Sequence, residues 1–126
     1  MVFFHGRFKI NIIEAKNLPD ADIAYFQVSD PYVIGVLGKA KLFKTKYKLN
    51  NLNPKWNESF NINVCHEAKH LKLEIMDKDD LAADDFLGEV LITAQELLSG
   101  GFLMDIFKIF FKNVQNIIQT KPPLCS

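Results

Sequence analysis

The chain has 126 residues, 48% of them hydrophobic and 24% charged, with fifteen Lys and Arg balancing fifteen Asp and Glu. That length gives one domain, and that composition gives a packed core beneath a charged surface. The zero net charge argues against a general affinity for polyanions, and no stretch reaches the roughly 18 to 20 apolar residues of a membrane-spanning helix.

From the N-terminus, the apolar run in Met1 to Arg7 is too short for a signal peptide and leads into a charged strand. Phe8, Ile10 and Ile12 alternate with Lys9 and Asn11, the period-two pattern of a half-buried strand. Leu18-Pro19-Asp20 opens a loop. Strands are predicted next over about 32–37 and 41–48; the stretch 39–48 carries Lys39, Lys41, Lys44, Lys46 and Lys48 and no acid. Asn50-Asn51-Leu52-Asn53-Pro54 is a turn cluster. Phe60, Ile62 and Val64 alternate with Asn61 and Asn63, and Leu71, Leu73 and Ile75 alternate with Lys72 and Glu74, with a connection of hairpin length between them. A further strand is predicted over about 87–92, then a single helical turn from Ala94 to Leu98 before Gly100-Gly101.

The C-terminal stretch supports two readings. Leu103, Ile106, Phe107, Phe110, Val114, Ile117 and Ile118 share a helical face, whereas Phe107, Ile109 and Phe111 alternate with Lys108 and Lys112 as in a strand. A helix would be an apolar-faced appendage; a strand would complete a sheet. Short strands at this spacing give an all-β sandwich. The expected organisation is a single domain over 1–126, with its core over about 7–112 and an unassigned tail over 113–126. Cys65 and Cys125 form no disulfide framework or zinc ribbon and fit a reducing compartment, with Cys65 a buried thiol.

The chemistry lies in the aspartates. Residues 77–85 hold five of them against one lysine, and Asp22 and Asp30 form a second cluster about fifty residues earlier, again at the ends of strand-like segments. At about 4 Å each like-charged pair repels by roughly 4 kcal/mol at an effective dielectric near 20. A hard dication with oxygen ligands removes that cost, and calcium suits such a loop site best. The competing motif is His66-Glu67-Ala68-Lys69-His70, which matches the zinc-peptidase pattern H-E-x-x-H. Its chemistry requires a helix, and this one falls between two alternating strands with no third ligand in view. There is no glycine-rich phosphate loop and no nucleophile elbow. The lysine strand lacks the exposed aromatics that stack on nucleic-acid bases.

The chain resembles a C2 domain, the calcium-dependent phospholipid-binding module of protein kinases C, synaptotagmins and phospholipases. The resemblance is carried by Glu14-Ala15-Lys16-Asn17-Leu18, Ser29-Asp30-Pro31-Tyr32-Val33, Lys44-Thr45-Lys46, Asn53-Pro54-Lys55-Trp56-Asn57-Glu58-Ser59-Phe60, and Asp77-Lys78-Asp79 followed by Asp84-Asp85-Phe86-Leu87-Gly88. It implies an eight-stranded antiparallel Greek-key β-sandwich, in the permuted (type II) form whose final strand comes from the C-terminus. It implies Asp22 and Asp30 from the first loop and Asp77, Asp79 and Asp85 from the third as ligands of two calcium ions. Asp22 lies eight residues before Asp30 where six is common, so Asp20 competes for its role; Asp80 and Asp84 are read as solvated neighbours.

The implied partner is an anionic membrane, rich in phosphatidylserine, approached through Tyr25, Phe26 and Leu81 at the loop tips. Lys44 and Lys46, with Trp56 nearby, would contact phosphoinositides, although Ile34 and Val36 stand where lysines often help. The expected protein is a non-enzymatic cytoplasmic module that becomes peripheral to membrane when calcium rises. The alternative is a calcium-independent protein-interaction module of the same fold.

Overall fold

The computed structural model describes residues 2–19, 29–80, 82–99, 101–103 and 107–119. They form β1 (Val2–Ala15), β2 (Pro31–Leu37), β3 (Ala40–Lys44), β4 (Lys55–Ala68), β5 (His70–Asp77), β6 (Asp85–Thr93), α1 (Ala94–Ser99), β7 (Gly101–Leu103) and β8 (Phe107–Gln119). Two four-stranded antiparallel sheets result, in the orders β4-β1-β8-β7 and β3-β2-β5-β6.

Alternation puts one face of each strand into the space between the sheets. Phe4, Phe8, Ile10 and Ile12 of β1 are all at most 2% exposed, and with Val33, Leu37, Leu71, Leu73, Ile75 and Ile92 they make the core. β2 is buried on both faces; its outward Tyr32, Ile34 and Val36 form a second, smaller cluster with Met76. Gly35 is there because the Phe43 ring is. A Cβ on Gly35 would stand 2.2 Å from that ring, which is itself stacked on Phe60 with centroids 4.5 Å apart. Gly35→Ala is therefore expected to cost about 1–3 kcal/mol as overpacking, read as a lowered denaturation midpoint.

The C-terminal segment takes the strand alternative, and the helical one is not adopted. β8 pairs with β1 from Phe3↔Gln119 to Ala15↔Phe107, filling the edge of β1 that β4 leaves open. Sheet pairing therefore reaches from Val2 to Gln119, past both ends of the 7–112 core read from sequence.

Three local readings are corrected. β4 and β5 are separated only by Lys69, yet they belong to different sheets, so the connection is a crossover and not a hairpin. β3 stops at Lys44 and not near residue 48, because the buried Thr45 hydroxyl takes the Val33 amide (2.9 Å) where a backbone carbonyl would continue the ladder. Cys65 is half-buried and disulfide-bonded, not a buried thiol; no other cysteine lies among the described residues.

Candidate functional site

Antiparallel register brings the acidic segments to one pole. Pro31 faces Asp77 across β2 and β5, and Asp77 faces Asp85 across β5 and β6. Side chains and backbone then tie the loops together. The Asp30 amide donates to Asp77 Oδ1 (2.8 Å), the Lys78 amide to the Asp30 carbonyl (3.1 Å) and the Asn50 amide to Asp30 Oδ1 (2.6 Å). The turn cluster holds the neighbouring end of β1, with the Leu18 amide on the Leu52 carbonyl and the Asn17 amide on Asn53 Oδ1. Asp77 is 1% exposed, Asp30 and Asp79 are half-buried, and Asp85 is exposed.

Of the carboxylates proposed from sequence, Asp30, Asp77, Asp79 and Asp85 are thus carried to one end of the sandwich. Asp22 lies outside the described residues, as do Asp20, Tyr25, Phe26 and Leu81. Among the described residues, no three acidic, histidine or cysteine side chains stand close enough together to hold a metal ion as they are.

Asp84 is not the solvated neighbour that the sequence suggested. Its carboxylate accepts the Asp79 amide (2.9 Å) on one oxygen and the Tyr32 hydroxyl on the other. The Tyr32 bond, then the Asp79 amide, hold the Asp84 carboxyl below the usual carboxylate range. Burial first, and the Asp84 carboxylate second, push the Tyr32 phenol well above its ordinary value. Above the Tyr32 ring lies Lys44, its Nζ 5.5 Å from the centroid. This Lys44–Tyr32–Asp84 chain was not visible in the sequence, because its members lie up to 52 residues apart.

Beside the pole an open groove of about 630 Å³ is lined by Lys44, Lys46, Lys48 and Lys78 with Tyr32 and Tyr47. Of these lysines only Lys44 is on β3; Lys46 and Lys48 follow in the irregular segment, which Lys48 anchors through its amide on the Pro31 carbonyl (3.1 Å). Trp56 does not line the groove. It is 4% exposed, in the core, and its indole N–H donates to the same Pro31 carbonyl (3.2 Å). The H-E-x-x-H segment has no helix: His66 and Glu67 are exposed in β4, and His70 opens β5 in the other sheet.

The family model for the C2 domain matches residues 6–109. The chain belongs to the C2 domain family. It is 38% identical over 104 residues to the protein C2-DOMAIN ABA-RELATED 11 of Arabidopsis thaliana, covering 82% of this chain and 60% of that one. It is 35% identical over 106 residues to cytosolic phospholipase A2 delta of Mus musculus, covering 82% of this chain and 13% of the other. A calcium-bound structure of two C2 domains of Extended-Synaptotagmin 2 superposes with a TM-score of 0.70 at 28% identity, over 86% of this chain and 45% of that one. The chain spans less than two thirds of the length of each.

The donor set of this C2 domain fits a hard cation: the described candidates at the pole offer only carboxylate and carbonyl oxygens, and Asp77 is a carboxylate buried at a strand exit. Tyr32 is a positioning residue for the third loop through Asp84. Tyr32→Phe keeps the ring under Lys44 and removes only the hydroxyl. With calcium as that cation, it is expected to weaken binding several-fold in a titration and to lower the thermal midpoint by roughly 5–15 °C, since a hydrogen bond to a charged group contributes about 1.5–3 kcal/mol.

Proposed function

We propose that this C2 domain is a calcium-dependent membrane-targeting module that binds anionic phospholipid and carries no enzymatic activity of its own. The observation that carries the reading is the buried Asp77 carboxylate hydrogen-bonded to the Asp30 backbone, with Asp79 and Asp85 brought to the same end by register. Asp22, Asp30, Asp77, Asp79 and Asp85 would hold the metal, with two calcium ions as the complement that the family implies. When bound, calcium supplies positive charge at the acidic pole and open coordination positions for headgroup oxygens. Without it, the exposed and half-buried aspartates repel an anionic surface. Tyr25, Phe26 and Leu81 serve as loop-tip contacts in this reading, and Lys44 and Lys46 as contacts for phosphatidylserine or phosphoinositide headgroups. The protein would be cytoplasmic and would reach the membrane when calcium rises.

Sedimentation with phosphatidylserine vesicles tests this. The chain is expected to pellet in calcium and to stay in solution with chelator or with pure phosphatidylcholine. Equal pelleting with and without chelator would overturn the calcium dependence.

The open groove lined by Lys44, Lys46, Lys48 and Lys78 favours a second reading, a calcium-independent protein-interaction module that uses it. The lysine contact has its own test. Lys44→Ala with Lys46→Ala is expected to lower binding to phosphoinositide vesicles more than to vesicles of equal charge made with phosphatidylserine; an equal loss on both would deny headgroup selectivity.

A further inference from the structure

Tyr47, Leu49, Phe86 and Leu91 are exposed large hydrophobic side chains outside β7 and β8, and Leu49 is the most open of these four at 70%. Isolated exposed apolar residues are ordinary on a soluble surface. Here three of the four gather at the acidic pole. Tyr47 and Leu49 lie on the 45–51 segment, whose backbone is bound to that pole by the Lys48 amide on the Pro31 carbonyl, the Asn50 amide on Asp30 Oδ1 and the Asn51 amide on the Ser29 carbonyl. Phe86, 58% exposed, follows Asp85 at the start of β6. It faces Met76, which faces Tyr32, so the three form one row on the outer face of the sheet. Leu91 lies five residues further along β6, roughly 17 Å away.

Beside Tyr47 and Leu49 the charge is positive, whereas Phe86 stands next to the exposed Asp85. The groove beside Tyr47 and Leu49 is lined by Lys44, Lys46, Lys48 and Lys78 and by no acid. Separated apolar side chains interspersed with long flexible cations complement an anionic headgroup layer, where apolar atoms go down and ammonium groups stay at phosphate level. Tyrosine is at home at that depth. The four lysines interleaved with Tyr47 and Leu49 favour an anionic membrane over an apolar protein face.

We infer that the 45–51 segment is a membrane-contact element in its own right. Leu49 enters the headgroup layer of an anionic bilayer with Tyr47 and Phe86 beside it, and the lysine side of the β3-β2-β5-β6 sheet leans toward the lipid. The inference rests on the membrane-targeting reading and adds to it the surface and the tilt.

Single tryptophans placed by Leu49→Trp, Phe86→Trp and Leu91→Trp test it, with the buried Trp56 as a constant background. The probe is a vesicle of phosphatidylcholine and phosphatidylserine, with brominated acyl chains, in calcium. Quenching and a blue shift are expected at positions 49 and 86 and not at 91. Leu49→Asp is expected to weaken vesicle affinity about five- to tenfold, with calcium affinity in the absence of lipid unchanged. If the unmodified chain binds these vesicles but position 49 is quenched no more than position 91, or Leu49→Asp binds as well as the parent, the contact surface is wrong while the membrane reading stands. If the unmodified chain does not bind them, both fall.

Discussion

Asp77→Asn is expected to abolish calcium-dependent vesicle binding and to lower calcium affinity about a hundredfold or more. The substitution keeps the shape and one acceptor oxygen, so the Asp30 amide retains its partner and the β2–β5 end stays closed. What is lost is one negative charge at 1% exposure, where water screens least. An interaction of about 3 kcal/mol with a dication at contact distance is a modest figure for such a site, and it corresponds to roughly two orders of magnitude in affinity. The metal-free domain is expected to melt no lower than the parent, because a like charge has been removed from beside Asp30, Asp79 and Asp85. Calorimetric titration and a thermal melt in chelator measure the two halves. A variant that binds calcium like the parent would remove Asp77 from the ligand set.

The second large effect concerns stability. Trp56→Ala is expected to cost about 3–5 kcal/mol, the range for deleting a large aromatic from a core. The side chain is 4% exposed, and its indole N–H satisfies the Pro31 carbonyl, which the Lys48 amide also uses. Trp56→Phe fills most of the volume and forfeits that bond, so a smaller cost of about 1–2 kcal/mol is expected. Urea denaturation followed by circular dichroism reads both. Under native conditions Trp56→Phe is expected to bind phosphoinositide vesicles like the parent, which separates the observed core position from the lipid contact that the family resemblance implied. Selective loss of phosphoinositide binding in a folded Trp56→Phe variant would restore that contact.

What the sequence disclosed followed the physics of local patterning. β1, β4 and β5 declare themselves because one face of each is wet and the other dry, so Phe8-Ile10-Ile12 and Leu71-Leu73-Ile75 alternate with polar residues. The spacing of Asp77, Asp79 and Asp85 was readable because both strand ends and the loop between them are contiguous in the chain. Contacts between distant segments were not readable. Asp84 and Asp85 are adjacent and chemically identical, and only the position of Tyr32 in another strand assigns the first to a hydrogen bond. The 107–119 segment satisfied both a helical and a strand period, and the open edge of β1 decided between them. Residues 2–7 of β1 were missed because Gly6, at φ 133°, and the polar His5 and Arg7 interrupt the apolar alternation. The β4–β5 crossover was invisible because a single intervening residue looks the same whether the next strand pairs with the last or leaves for the other sheet.

The account stands on carboxylates from separate loops closing around calcium, and calorimetric titration of the metal-free chain with calcium tests it most directly. Saturable binding with a stoichiometry near two, tightened by phosphatidylserine vesicles and lost in Asp77→Asn, is the predicted result. No saturable heat at millimolar calcium, with or without vesicles, would contradict it.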